Sequence, residues 1–487
     1  MADAPQDTTV VIIGAGFAGL CMGIKLKEAG LDDFVILEAS DGVGGTWRAN
    51  TYPGCACDVP SHLYSYSFAP RSDWSRKYGP QGEILDYIEA CADRFGVRPF
   101  VRFGVKVVAA TYDEADARWL VRAADGRRWR ARFVVSALGS LRIPAIPAIS
   151  GADAFAGAAF HSARWDHDYD LAGKRVAVVG TGASAIQFVP QIAAKVARLH
   201  LFQRTPPWIM PKADRPFTGA EKAIFRRLPA VERLYRAGVY WKQEAPVLGF
   251  LRAPKLLKIA ELEARRHLRA QIADPQLRAK VTPSFHIGCK RVLLSNDYYP
   301  ALTRANVEVH TEALAELRPR HAVTSDGREL PIDAVIYGTG FRITDFLAPM
   351  EVRGAGGQTL AERWRGGPEA YLGSAIHGFP NFFLITGPNT GLGHSSMVFM
   401  IEAHVHFIRA CIRGVLDRGL RAVEVRADAE RRFNARIQAR LDKTVWSSGC
   451  RSWYLDESGR NIALWPGSTW GFWLRTRRPR RRDFAFT

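Results

Sequence analysis

Apolar residues along this chain fall into short continuous runs, separated by glycine turns and by longer stretches of helical spacing. Val10 to Ile13 is a β-branched run, Phe34 to Leu37 is a second, and between them Leu20 to Ala29 follows the helical period until Gly30 stops it. Runs that are apolar on both faces predict strands of a parallel sheet covered on both sides, so this opening reads strand, helix, strand. The alternation recurs: Phe133 to Gly139, Arg175 to Val179 and Asp333 to Phe341 predict buried strands ending in glycine. Asn381 to Ser396 predicts a strand and glycine turn ahead of a helix from Met397 to Arg413, and by connectivity this last unit should return to the first domain. Phe217 to Pro283 differs in character, with arginines distributed among apolar residues at helical spacing. It predicts a helical insertion packed against the second domain, since a membrane-surface helix would concentrate its basic residues on one face.

Two of the strands run into glycine turns. Gly14, Gly16, Phe17 and Gly19 follow the first, and Glu38 ends the next strand 19 residues beyond Gly19. A dinucleotide-binding unit has this acid about 20 residues on. Its glycines let the backbone approach a pyrophosphate at the helix N-terminus, and the acid accepts from a ribose 2′-hydroxyl. Gly180, Thr181, Gly182, Ala183, Ser184 and Ala185 repeat the pattern, but 19 residues beyond Ala185 stands Arg204. A carboxylate repels a 2′-phosphate and a guanidinium binds it bidentately, so the second unit should take NADPH and the first FAD. The fold class is therefore α/β, with two Rossmann-like dinucleotide-binding domains and a helical insertion in the second. We expect residues 1–143 and 376–487 to form a discontinuous FAD-binding domain, 144–215 and 286–375 the NADP-binding domain, and 216–285 the insertion. Asp41 to Trp47 and Tyr52 to Phe68 form a long glycine, proline and aromatic segment, of the kind that carries function within a domain.

Composition narrows the class further. With 487 residues, 47% hydrophobic and 24% charged, the chain suits two or three domains with ample core and excludes fibrous and disordered classes. A formal net charge of +19 would suit an anionic partner, but an arginine-rich solvated surface is the simpler account, and no nucleic-acid-binding motif accompanies it. Seven cysteines, odd in number and without a C-x-x-C pair, predict neither a disulfide framework nor a metal site and fit a reducing cytoplasm. Without C-x-x-C a disulfide-reductase reading also falls, leaving O2 as the natural electron acceptor. No basic-then-apolar leader opens the chain, and no apolar run reaches the ~18 residues that span a bilayer. The run from Arg475 to Asp483 reads as a mobile, solvated basic tail, with peripheral contact to an anionic membrane as the alternative.

The most specific signal lies in the connector between the two glycine motifs. Phe155, Gly157, His161, Trp165 and Asp166 match F-x-G-x-x-x-H-x-x-x-W-(P/D) in full. Together with GGTW ending at Trp47, YPG running on to Asp58, GCKR ending at Arg291, the YGTGF strand end and SWY at Ser452, the chain resembles the type I Baeyer–Villiger monooxygenases over most of its length. The related S- and N-oxygenating flavin monooxygenases share both nucleotide motifs, but their connector ends without Trp165 and Asp166. The resemblance implies FAD and NADPH as cofactors and insertion of one atom of O2 beside the carbonyl of a small-molecule ketone. It implies that Arg291 stabilises the negatively charged C4a-peroxyflavin and that Asp58 holds and tunes that arginine. It further implies flavin contacts from Thr46, Trp47, Asp58, Tyr64, Met397 and the backbone of Val107. Lys290, Arg204 and Thr205 would hold the 2′-phosphate, with Arg291 also against NADP and Trp453 covering it. The physical case agrees: a peroxide anion must stay deprotonated to attack a carbonyl, and arginine supplies a charge that it does not surrender by deprotonation. His161 reads as a structural hydrogen-bonding residue that couples domain motion to NADP binding. Cys55-Ala56-Cys57 departs from the arginine that relatives often carry before the acid. A flavin-bearing basic binding protein is the reading from another functional class.

Overall fold

The computed structural model describes residues 4–251, 254–450 and 452–487. Its first sheet is built around Gln6–Ile13, paired in parallel with Phe34–Leu37 on one side and Arg128–Ser136 on the other. Val10 to Ile13 are all buried, which is why that run admits no polar residue. The order across the sheet is Glu351–Arg353, Val107–Asp113, Arg118–Ala123, Arg128–Ser136, Gln6–Ile13, Phe34–Leu37 and Val101–Arg102. Phe382–Leu384 joins it in parallel beside Arg128–Ser136, so the last strand–turn–helix unit does return to the first sheet.

The second sheet is parallel throughout, in the order Val307–His310, Arg198–Phe202, Arg175–Val179, Ala334–Tyr337, Ala158–His161. The chain leaves it earlier than expected. Glu351–Arg353, placed by sequence within 286–375, pairs with Val107–Asp113 in the first sheet. A three-residue strand is too short to carry a period.

Between the two halves of the second sheet lie the helices Gly219–Arg227, Pro229–Glu244, Val247–Leu251, Pro254–Gln271 and Pro275–Lys280. Thr218 and Glu221 close a reciprocal capping box on the first, and Asp274 caps the last. Their packing corrects the expectation of a single partner. The helix Pro229–Glu244 lies on the first domain and the C-terminal segment: Arg236 donates to the carbonyl of His62 and, at 3.0 Å, to that of Ser65, Tyr240 stacks on Phe399 at 5.4 Å, and Glu244 accepts from the Thr469 N–H at 2.6 Å. The reason is a matter of unmet hydrogen bonds. The coil from His62 to Ser65 has carbonyls without ladder partners, and a long arginine reaches them.

The C-terminus requires a second correction. Phe484–Phe486 pairs antiparallel with Val423–Val425, Phe484 meets Tyr371 edge-on at 5.4 Å, and Asp483 accepts from the Tyr371 hydroxyl at 2.7 Å. Arg475 is in the last turn of the helix Thr469–Thr476, and Arg477 to Arg482 is thus a basic segment held at both ends, because the charge run conceals an apolar Phe-Ala-Phe strand behind it.

A third correction concerns cysteine. Cys289 and Cys450 form a disulfide across 161 residues of sequence, a pairing that only the tertiary fold can create, while Cys21, Cys55, Cys57, Cys91 and Cys411 are buried thiols. Among the described residues no helix is long and apolar enough to cross a membrane.

Phe484→Ala should remove the apolar anchor of the terminal strand at a cost of about 3 kcal/mol. Thermal unfolding several degrees below wild type is expected, and an unchanged midpoint would mean that the strand contributes nothing to stability.

Candidate active site

The first glycine turn leads into the helix Phe17–Lys27, whose N-terminus has no side-chain cap and so leaves its first N–H groups unclaimed. Gly14 has φ +102°, and a Cβ there would meet the Ala137 carbonyl oxygen at 2.9 Å; a Cβ at Gly19 would collide with the Gly14 carbonyl. Side chains are therefore excluded where the strand, the turn and the helix meet. Glu38 accepts from the Ala15 N–H at 2.7 Å and from the Ser40 N–H at 2.8 Å, which fixes the carboxylate against the glycine turn. The Val105 N–H donates to the Glu38 carbonyl at 2.8 Å, bringing the start of Val107–Asp113 to the same place. An uncapped helix N-terminus, a turn without side chains and a fixed carboxylate fit the pyrophosphate and ribose of a dinucleotide such as FAD.

The second turn has the same construction and the opposite charge. Gly180 has φ +104° and lies against the Gly338 carbonyl, and the helix Ala185–Ala193 again starts without a side-chain cap at Ser184. Thr181 donates to the Thr205 carbonyl at 3.3 Å, which seats the Arg204 turn over the glycine loop that continues through Gly182 and Ala183. Burial and the neighbouring Arg204 charge hold the Lys290 ammonium below its usual pKa. Two cations that repel each other are what a 2′-phosphate dianion would relieve, so these residues fit NADP.

An ion pair joins the two units. Arg291 reaches Asp58 through Nη2 at 2.6 Å and Nε at 3.1 Å, and Nη1 points to the Leu392 carbonyl at 3.5 Å. The side chains keep 30% and 29% exposure, and both charges are desolvated by the surrounding protein. Burial opposes ionisation of Asp58, but the Arg291 charge and hydrogen bond outweigh it and hold the carboxyl below its usual range. The Asp58 charge in turn raises the Arg291 pKa. Burial pushes the Tyr454 phenol up to about 12, with the Arg291 charge opposing it, and the Tyr454 ring packs 4.4 Å from that of Trp453. Trp453 itself is 46% exposed.

The loop that carries Asp58 is held by a residue that sequence reasoning missed. Gln187, on the helix Ala185–Ala193 of the second glycine unit, accepts from the Tyr52 hydroxyl at 2.9 Å and donates to the Ala56 carbonyl at 2.9 Å. Cys55 and Cys57 use their backbones: the Gln81 N–H donates to the Cys55 carbonyl at 2.9 Å and the Cys57 N–H to the Gly79 carbonyl at 3.0 Å. A lone amide on a helix face gave no signal of this in the sequence.

The remaining expected flavin contacts cluster on the same side. Thr46 opens the short helix Thr46–Ala49, Trp47 donates through Nε1 to the Tyr64 hydroxyl at 3.2 Å, and Phe17 meets the Tyr64 ring edge-on at 5.4 Å. Met397 opens the helix Met397–Leu416, capped by Ser396. The connector residues instead build an edge of the second sheet. A Cβ at Gly157 would collide with the Asp333 carbonyl and Phe155 packs beside it, His161 accepts at Nδ1 from the Ala163 N–H at 3.1 Å, and Asp166 accepts from the Asp168 N–H at 3.1 Å. Trp165 packs on Phe188 of the glycine helix at 5.3 Å. Burial holds the His161 imidazole below its usual pKa. Elsewhere, Glu308 and His310 of the outer strand of this sheet meet His200 of the strand beside it. The two imidazoles already share a hydrogen bond at 3.0 Å, and Glu308 is bound by Arg198 at 2.6 Å.

A family model described as pyridine nucleotide-disulphide oxidoreductase matches residues 11–218. The chain is 51% identical over 475 residues to a Baeyer-Villiger monooxygenase of Streptomyces coelicolor, covering 97% of this chain and 91% of that protein. It is 48% identical over 476 residues to a Baeyer-Villiger monooxygenase of Pseudomonas aeruginosa, covering 97% and 90%. Among solved structures it is similar to an oxidized steroid monooxygenase bound to NADP, with 33% identity, TM-score 0.88 and 99% of both chains covered. A closed cyclohexanone monooxygenase matches with 27% identity, TM-score 0.89 and coverage of 99% and 100%. The shared pair of nucleotide folds accounts for the first match, and the identity over nearly the whole length decides the rest: the chain belongs to the Baeyer–Villiger monooxygenases.

Proposed function

We propose that this chain holds FAD on the Gly14–Gly19 turn and NADPH on the Gly180–Ala185 turn, and uses O2 to oxidise a ketone to an ester or lactone. The observation that carries the reading is the desolvated Arg291–Asp58 pair, which joins a loop of the first glycine unit to a segment of the second. When bound, FAD supplies the redox chemistry: it takes hydride from NADPH and activates O2 for transfer to the carbonyl carbon.

The residues of this chain do the rest. Glu38 orients the ribose of the first nucleotide, while Arg204, Thr205 and Lys290 select the phosphorylated ribose of the second. Arg291 presents a permanent positive charge to the oxygen-transfer site, and the developing oxyanion gains most from that charge where water is excluded. Lysine would be a poorer donor, since burial lowers its pKa and it can give up a proton. Asp58 orients the guanidinium fork through Nε and Nη2, and Gln187 holds the Asp58 loop against the NADP-side helix. Trp47 and Tyr64 wall the flavin side, and Trp453 covers the nucleotide from its exposed position.

The primary test is a ketone panel with product analysis on the yellow, purified enzyme under NADPH and O2. Ester or lactone is expected, and its absence from a broad panel would overturn the reading. Arg291→Ala should leave flavin reduction by NADPH measurable while ester formation falls roughly 10²–10³-fold, the scale set by losing one oxyanion donor; retained oxygenation would remove Arg291 from its role. Arg204→Ala should raise the KM for NADPH by about tenfold or more and that for NADH little, as expected from loss of a charge-assisted hydrogen bond. Equal changes would show that Arg204 does not read the 2′-phosphate.

A further inference from the structure

The Cys289–Cys450 disulfide lies at the point where the second nucleotide site meets the C-terminal coil. Cys289 immediately precedes Lys290 and Arg291, and Cys450 lies just before the segment that carries Trp453 and Tyr454. The Cys289 side is tightly enclosed: Gly288, at φ +91°, would place a Cβ 2.8 Å from Phe250 of the helical insertion and 3.4 Å from Val445, and Phe250 stacks on Trp446 at 5.7 Å. The Cys450 side is less enclosed: Cys450 is partly exposed and Trp453 is exposed, and the coil that follows is pinned from Tyr454 onward, where the Ile462 N–H donates to the Tyr454 carbonyl at 3.1 Å and the Asn389 N–H to the Ile462 carbonyl at 2.8 Å. A covalent bond at Cys450 restrains Trp453 from the side on which those hydrogen bonds do not act.

We propose that this disulfide is a redox-sensitive positioning clamp, which couples the placement of Arg291 to that of Trp453 and keeps NADPH oxidation coupled to oxygen transfer. The inference rests on the roles given above to Arg291 and Trp453. The access of the two sulfurs differs in the way such a device requires. Cys289 is fully buried, Cys450 is partly exposed, and the five free thiols are buried. An external dithiol, of the class that keeps reducing compartments reduced, can attack the Cys450 sulfur. The S–S bond breaks, and Cys289 leaves as a thiolate that takes up a proton. The second thiol of the reagent resolves the mixed disulfide and frees Cys450. Two electrons and two protons pass to the enzyme, and the dithiol becomes a disulfide. In the reverse direction a peroxide converts the Cys450 thiol to a sulfenic acid with release of one water (from hydrogen peroxide), and condensation with the Cys289 thiol releases a second. Once the bond is open, Trp453 loses its covalent tie to the Arg291 loop while both residues and both glycine sites persist.

The test uses the full-length holoenzyme. Peptide mapping without reductant should recover a Cys289–Cys450 cross-linked pair; finding both as free thiols in air-oxidised protein would overturn the proposal at once. Incubation with dithiothreitol should then release two thiols, raise the KM for NADPH and lower ester formed per NADPH, each roughly tenfold, within the usual range of coupling between sites. The rate of flavin reduction at saturating NADPH should not change, and hydrogen peroxide should restore the oxidised behaviour. The double variant Cys289→Ser, Cys450→Ser should show the reduced-state values and no response to dithiothreitol. Release of two thiols without change in KM or coupling would overturn the clamp, as would a dithiothreitol response in the double variant. Failure of the oxidised wild type to form ester from any ketone would instead overturn the oxygen-transfer reading, so the two failures are distinguishable.

Discussion

The ion pair between Arg291 and Asp58 is the interaction on which this structure turns. Asp58 belongs to the long loop of the first glycine unit and Arg291 to the segment that follows the helical insertion, so the pair ties together parts of the chain 233 residues apart. Each charge offsets the desolvation of the other. Removing one partner of such a desolvated pair leaves an uncompensated charge, which costs several kcal/mol. The same pairing fixes the guanidinium fork in direction, so stability and presentation of charge are one arrangement. Gln187 extends it to the second nucleotide unit by holding the loop before Asp58 through both the N–H and the carbonyl of Ala56.

On either side of this pair the chain builds one backbone solution twice and gives it opposite charge. Both turns exclude side chains by close backbone approach, at Ala137 in one and Gly338 in the other. Both helices start without a side-chain cap. The two units differ in the residue at the end of the following strand, a carboxylate fixed by the Ala15 N–H in the first and an exposed arginine beside Lys290 in the second, the difference to which the proposed function assigns the choice of cofactor. Basic residues elsewhere contribute mainly to the solvated surface, and the terminal arginines are held between a helix and a strand.

The periphery decides how closely these parts are held. The insertion reaches from the second sheet onto the first domain through Arg236 and Tyr240, and the C-terminal segment returns beneath it through Thr469 and Trp446. The Arg291 loop is enclosed at this junction, and the disulfide adds the one covalent cross-link among the described residues. The connector motif has a more local physical task than its specificity as a signature suggests. It finishes an edge of the second sheet and braces it on Phe188.

What the sequence determined by itself is what depends on neighbours in the chain. Runs of buried β-branched residues marked the strands of both sheets, and each glycine turn with its acid or arginine 19 residues on marked a nucleotide unit. These features are legible because a strand, a turn and a helix are short-range objects with their own periods. The tertiary structure decided the contacts that no period or spacing encodes: the arginine of the Pro229–Glu244 helix on the His62 to Ser65 coil, the strand Glu351–Arg353 in the first sheet, the terminal strand behind a basic run, and Gln187 beneath Asp58. It also joined Cys289 to Cys450, because meeting across 161 residues is a property of the packed chain and of no segment within it.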